Sequence, residues 1–270
     1  LLVLPRHRSA LESNVWLGFL SVKNNCSSLQ VYWNVPSKVC HSRKVSIPLE
    51  QFGITHNKGH EFLGDQIVIF YEYDFGYFPY YLDYNAETPI NGGLPQNCPI
   101  DKHLIRVSQQ IREAIPREDF SGIAVIDFEE WRPLYQLNWG KKAVYRRESI
   151  RLVRKQYPQI SEKSAEEMAK KEFNSAAKKV FLHTIALARQ MRPYARWGFY
   201  GFPYCNYDAG NSETDMLCSE KFRKYNDEYV LLLTFFVFSK EFHIYIYRMF
   251  CSDKLRQLNN EIGCNTALLT

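Results

Sequence analysis

The chain has 270 residues, a length that allows one large domain or two small ones and that suits a single α/β barrel of about 250 residues. Its 46% hydrophobic and 23% charged residues exclude a disordered chain, a collagen-like repeat and a coiled coil. The formal net charge of +5 comes without a run of five Lys or Arg and without a nucleic-acid-binding motif, which disfavours nucleic acid and leaves an acidic polysaccharide open as partner.

Leu29 to Val35 is β-branched and aromatic and stops at Pro36, which predicts a strand. Cys40 to Gly64 reads as loop with at most one short helix, and Gln66 to Tyr71 as a second strand. Glu72 to Pro99, aromatic and punctuated by Gly and Pro, is a long loop of the kind that carries function. A helix is expected from an Asp101 N-cap, with Leu104, Val107, Ile111 and Ile115 on one stripe until Pro116. Ser121 to Glu129 is a continuous apolar run that ends in carboxylates, the pattern of a doubly buried parallel strand.

The strongest helix signal spans Ser161 to Met191, with Ser164 and Glu167 as a capping box and a stripe from Ala165 to Ala188. Arg196 to Phe202 then reads as a further strand. Successive βα units of this kind argue for a parallel barrel over an open sheet. From Tyr229 an apolar run of ten residues begins, too short for a membrane span, which takes about twenty. The N-terminus shows no assignable signal peptide. The seven cysteines form no CxxC pair and carry no zinc-ligand spacing, so disulfides in a secreted or lumenal protein are expected and no metal or cofactor is.

The sharpest chemical signal is Asp127-Phe-Glu129. On a strand, residues two apart share a face, so both carboxylates would project together at the C-terminal end, where barrel enzymes do their chemistry. Two carboxylates so placed cannot both ionise freely, and one is expected to hold its proton as a general acid must; two solvated loop-end carboxylates are the plain alternative. A high aromatic content, with 18 Tyr, 18 Phe and 5 Trp, fits a cleft that stacks sugar rings as well as it fits a large core.

The stretch GIAVIDFEEWRP at 122–133, with Asn138-Trp139 and Tyr145-Arg146, resembles the catalytic region of animal hyaluronidases, the family 56 glycoside hydrolases. Tyr32-Trp33-Asn34 through Cys40, Gly92-Gly-Leu-Pro-Gln96 ahead of His103-Leu104, and Trp197 through Cys205 resemble the same family in the same order. The resemblance implies an α/β fold, a distorted TIM-like (β/α)7 barrel incomplete at its C-terminal end. It also implies retaining, substrate-assisted hydrolysis of the β-1,4 linkage between N-acetylglucosamine and glucuronic acid, in which the N-acetyl oxygen attacks the anomeric carbon.

By the same resemblance Glu129 is the acid/base, Asp127 holds and polarises the acetamido group, and Tyr200 helps to position it. Tyr71 is implied as a substrate contact. Trp131 and Arg132 are candidates on the substrate side: Trp131 packs or meets a sugar, and Arg132 orients Glu129 or meets a substrate carboxylate. Cys205 and Cys218 are implied as a disulfide, and Cys40 as a half-cystine without an assignable partner. His103 is expected to be structural.

The implied partner is hyaluronan or a related glycosaminoglycan, bound by a monomer without a membrane span, in a secreted or lysosomal setting. The resemblance stops after Glu228. The expected organisation is an N-terminal extension over 1–28, a catalytic barrel portion over 29–228 and a divergent apolar tail over 229–270. A truncated, inactive homologue that at most binds glycosaminoglycan and a chondroitin-hydrolysing homologue are the competing readings.

Overall fold

The computed structural model describes residues 2–5, 29–35 and 37–201, with Glu220, Lys224 and Tyr225 beyond them. The Cys205–Cys218 pair, most of the N-terminal extension and the apolar tail therefore lie outside the described residues. Compact units divide between Gln66 and Ile67, inside the stretch assigned from sequence to the barrel.

In the first unit, β1 (Leu2–Pro5) runs antiparallel to β2 (Leu29–Trp33), which runs parallel to β3 (Ile54–His56). A short helix, α1 (Lys38–Ser42), carries Cys40. Tyr32, Ile47 and Leu49 are buried, and Ser37 receives the Trp33 indole N–H at 3.0 Å while its hydroxyl sits 3.1 Å from the His60 ring. The sequence reading missed β3, because three residues in a polar stretch carry no periodicity.

The second unit follows in the order β4 (Ile67–Tyr71), β5 (Tyr80–Tyr81), β6 (Pro89–Ile90), α2 (Ile100–Ala114), β7 (Ile123–Asp127), α3 (Ala143–Gln156), α4 (Glu162–Met191) and β8 (Arg196–Phe199). β4, β7 and β8 form a parallel sheet in that order. Each strand comes from an apolar run: Ile67, Val68 and Phe70 on β4, and Ile123 through Ile126 on β7, are buried. Parallel neighbours need long crossovers, and the α2 and α3–α4 segments supply them. β5 and β6 pair as a small hairpin within the long aromatic loop.

The helices differ from the sequence reading at their ends. Helix α2 starts at Ile100 with Pro99 before it, so Asp101 sits in the first turn, where its charge favours the helix dipole, instead of capping it. Its buried stripe is His103, Val107 and Ile111. Helix α4 is capped by Ser161, whose hydroxyl accepts from the Ser164 amide at 3.2 Å, so the expected Ser164–Glu167 box lies one turn inside. The stripe from Ala165 to Ala188 is buried as expected, and α2 and α3 pack on α4. Helix α3 was not foreseen.

His103 is fully buried and structural. Its Nδ1 accepts the Tyr77 amide at 3.0 Å, which leaves Nε2 to donate to the Thr184 hydroxyl at 2.9 Å, and burial lowers its pKa to about 4. A neutral imidazole thereby ties the aromatic loop to α4. Gly76 makes this possible: it has φ +68°, and a Cβ there would stand 2.5 Å from His103 Nδ1 and 2.8 Å from Val107 Cγ2. Gly93 likewise lies under the Tyr81 ring, with φ +73° and 2.6 Å of room for a Cβ.

Gly76→Ala should lower stability by about 2 kcal/mol in urea unfolding, from a left-handed backbone combined with a clash in a packed interior. A variant with parent stability would show that this loop is not held against α2 as described.

Candidate active site

Register builds the site. In the parallel ladder Tyr71 pairs with Asp127, and the Tyr200 amide donates to Ile126 O at 2.9 Å immediately after β8. Three side chains thus leave the C-terminal ends of three neighbouring strands at one level. Adjacent strands lie about 4.8 Å apart, so the row from Tyr71 to Tyr200 spans about 10 Å, the scale of one or two sugar rings.

β7 ends at Asp127, so Glu129 is not on the strand, as the two-residue spacing predicted, but in the loop beyond it. Asp127 is half-buried, Phe128 turns into the core, and Glu129 is exposed. The carboxylates still converge. Burial raises the Tyr200 pKa first, and the nearby charges of Glu129, Asp127 and Tyr71 raise it further. Burial, then the Asp127 charge, raises Tyr71. Both phenols therefore remain hydrogen-bond donors beside acidic groups. A Cβ at Gly201 would come 3.5 Å from Glu129 Oε1, so the Glu129 carboxylate lies beside the backbone that follows Tyr200.

Trp131, for which packing and a sugar contact were both read from sequence, is shown by the structure to pack. It is completely buried, stacks on Phe78 at 4.8 Å and 8°, meets Phe173 and Phe181, and gives its indole N–H to Pro79 O at 2.7 Å. No face is left for a sugar, and Trp131 pins the loop that carries Glu129 from below. Arg132 donates to Leu137 O at 3.0 Å and lies 3.9 Å over the exposed Trp139 ring. Asn138, fully buried, closes the same loop, accepting from the Arg132 amide at 2.8 Å and donating to Arg132 O and Leu134 O.

A set of polar residues beneath the loop escaped the sequence reading. Glu72, next after Tyr71, is buried; its Oε2 accepts from the backbone amides of Glu129 and of Glu130, the latter at 2.7 Å. Burial pushes its pKa up to about 8 despite those two donors, and the charges of Glu130 and Asp127 push the same way. Glu130, also buried, accepts from Tyr73 at 2.6 Å and Tyr145 at 3.3 Å. Lys142 donates to the carbonyls of Glu129 and Glu130, the latter at 3.1 Å, and to the Tyr84 hydroxyl at 3.2 Å. The one available signal was a glutamate directly after each of two candidate site residues, Glu72 after Tyr71 and Glu130 after Glu129.

Among the described residues no group of three or more His, Cys, Asp or Glu is arranged to hold a metal ion. None of their helices is long and apolar enough to cross a membrane. The Cys98 thiol lies 3.8 Å from Tyr77 O, and burial raises its pKa to about 12.

A family model described as hyaluronidase matches residues 21–237, further at each end than the stretch 29–228 read from sequence. The chain is 47% identical over 199 residues to a chondroitin hydrolase of Caenorhabditis elegans, covering 73% of this chain and 43% of that protein. It is 40% identical over 198 residues to human hyaluronidase-1, covering 73% and 45%. Bee venom hyaluronidase, solved with a hyaluronic acid tetramer, superposes with a TM-score of 0.67 at 34% identity, over 75% of this chain and 63% of that one. The chain thus spans less than half the length of these two sequence relatives. The β4–β7–β8 layer with its helices is a segment of an α/β barrel, incomplete in the described residues.

Glu72 gives this site a pH signature. Its pKa in the fold, about 8, lies above the ordinary value of 4.5, so the folded state holds the proton more tightly than the unfolded one. Its contribution to stability is complete below about pH 4.5 and is lost as pH rises through about 8. Urea midpoints at pH 5 and 8 should differ less in Glu72→Gln than in the parent; an equal difference would remove Glu72 as the source.

Proposed function

The chain belongs to the hyaluronidase family, the family 56 glycoside hydrolases, and from that membership we propose that it cleaves the β-1,4 bond between N-acetylglucosamine and glucuronic acid in hyaluronan. The observation that supports this most is the convergence of Asp127, Glu129, Tyr71 and Tyr200 at one end of a parallel sheet.

In this reading the substrate's N-acetyl oxygen attacks its own anomeric carbon, and configuration is retained. Glu129 protonates the departing glycosidic oxygen, and the resulting carboxylate then takes a proton from the water that opens the cyclic intermediate. Its exposure and loop position give it reach to a bond lying across the strand ends. Asp127, anchored at the end of β7, accepts from the acetamide N–H and offsets the positive charge that grows on that nitrogen. Tyr200 and Tyr71, on either side of Asp127 and kept protonated, donate to the acetamido group and to the sugar beside the cleavage point. No metal or cofactor enters this scheme.

The polymer backbone carries one carboxylate per disaccharide, and Arg132, half-buried over the exposed Trp139 ring, is the candidate cation of this loop to meet it. Chondroitin is the second polymer to consider, because the Caenorhabditis elegans relative is named for its hydrolysis. A monomer acting in a secreted or lysosomal setting completes the proposal, with Cys205–Cys218 as a disulfide and Cys40 as a second half-cystine.

Release of reducing N-acetylhexosamine ends at mildly acidic pH tests the reading, with hyaluronan and chondroitin side by side. Glu129→Gln should lower kcat by about a thousandfold and Tyr200→Phe by about tenfold, in folded proteins. Faster cleavage of chondroitin would change the polymer and keep the chemistry. A folded parent chain that cleaves neither would replace the enzyme with a glycosaminoglycan-binding homologue.

A further inference from the structure

The acid/base assigned above sits on a loop, and loops position side chains less well than strands do. What fixes the Glu129–Glu130 stretch is unusual: its main-chain hydrogen-bonding groups go to two side chains. Both amides donate to one oxygen of Glu72, from the segment after β4, and both carbonyls accept from Lys142, from the segment before α3. We propose that Glu72 and Lys142 form a clamp that positions the acid/base Glu129, and that the neutral, proton-bearing form of Glu72 is its working state. The catalytic half of this inference rests on the hydrolase reading; the structural half does not.

The physical argument is one of charge in a confined space. Asp127, Glu129 and Glu130 face Glu72 from β7 and its loop, Tyr71, Tyr73 and Asp74 flank it on its own segment, Tyr80 and Tyr84 come from the aromatic loop, and Lys142 and Tyr145 approach from the α3 side. Lys142 is the one cation in that set, and it is drawn toward the carbonyls and Glu130. An ionised Glu72 would add a buried negative charge beside the carboxyl groups of Glu130 and Asp127. A protonated Glu72 keeps its acceptor oxygen for the two amides without adding that charge. Burial sets the change of form at about pH 8, above the mildly acidic range where a protonated Glu129 is required.

Positioning separates from mere packing by its readouts. Glu72→Ala should lower kcat by about ten- to a hundredfold with KM nearly unchanged, the cost of a displaced catalytic group. Glu72→Gln, which keeps a neutral acceptor, should recover most of that loss, and Lys142→Met should repeat the kcat loss from the carbonyl side. In parallel, the 15N amide signals of Glu129 and Glu130 should titrate with a midpoint near 8 in the parent and stay flat in Glu72→Gln, with both amides protected from exchange there. They should lose protection in Glu72→Ala.

Gln no better than Ala, a loss confined to KM, or amide signals indifferent to Glu72 would each overturn the clamp. An inactive parent with titrating, protected amides would overturn the hydrolase reading and leave the clamp standing.

Discussion

The parallel register of β4, β7 and β8 is the constraint on which the rest depends. Side chains alternate along a strand, so a slip of one residue in either pairing would send Asp127 to the opposite face and take Tyr71 or Tyr200 out of line. The register is protected by burial on both faces: Ile123 to Ile126 contribute four consecutive buried residues, and Val68, Phe70, Trp197 and Phe199 pack into the same core. A doubly buried strand cannot slide without exposing apolar surface, at about 25 cal/mol per Å². The long helix α4 enforces this from outside, with its stripe from Ala165 to Ala188 against the sheet side and His103 tied to Thr184.

The end of β7 shows the cost of placing chemistry where regular structure stops. Beyond Asp127 the backbone loses its ladder partners, and each buried amide or carbonyl must find another. Asn138 satisfies three groups of the loop, Trp131 fills the space beneath it, and Glu72 and Lys142 satisfy the Glu129–Glu130 stretch. Asn138 and Glu72 do this as buried polar side chains, which destabilise the fold unless they are paired. The network beneath the loop satisfies this by matching types: acceptors meet amides and phenols, and the ammonium meets carbonyls. Glu72 meets the remaining conflict between burial and charge by holding a proton.

Much of this was legible in the sequence because it followed from periodicity. The buried stripe of α4, the apolar runs of β4 and β7 and the stop at Pro116 are one-dimensional patterns, and the carboxylate pair stood out against an apolar run. What was missed depends on tertiary partners. Helix α3 carries four buried positions among arginines and lysines, so its stripe is thin. Position after the carboxylates left packing and a sugar contact both open for Trp131, and only the tertiary partners, Phe78, Phe173 and Phe181, decide for packing. Glu72 and Lys142 lie seventy residues apart in sequence, and nothing local marks either as a partner of Glu129. The Ser161 cap was displaced by one turn because two serines three apart offer the same signal.

The division of labour between exposed and buried groups follows from dielectric screening. Glu129 is exposed, so charges beside it act through water in the free protein, while Glu72 and Glu130 are buried and, with the half-buried Lys142, act on one another where water is scarcer. A saccharide laid across the strand ends would cover Glu129 and remove that screening, strengthening its interaction with Asp127 and with the hydroxyl of Tyr200. In the proposed reaction Glu129 is thus coupled to its surroundings by the saccharide itself. The set beneath it stays strongly coupled throughout, which is what a support must do if the group above it is to exchange a proton in each proposed turnover.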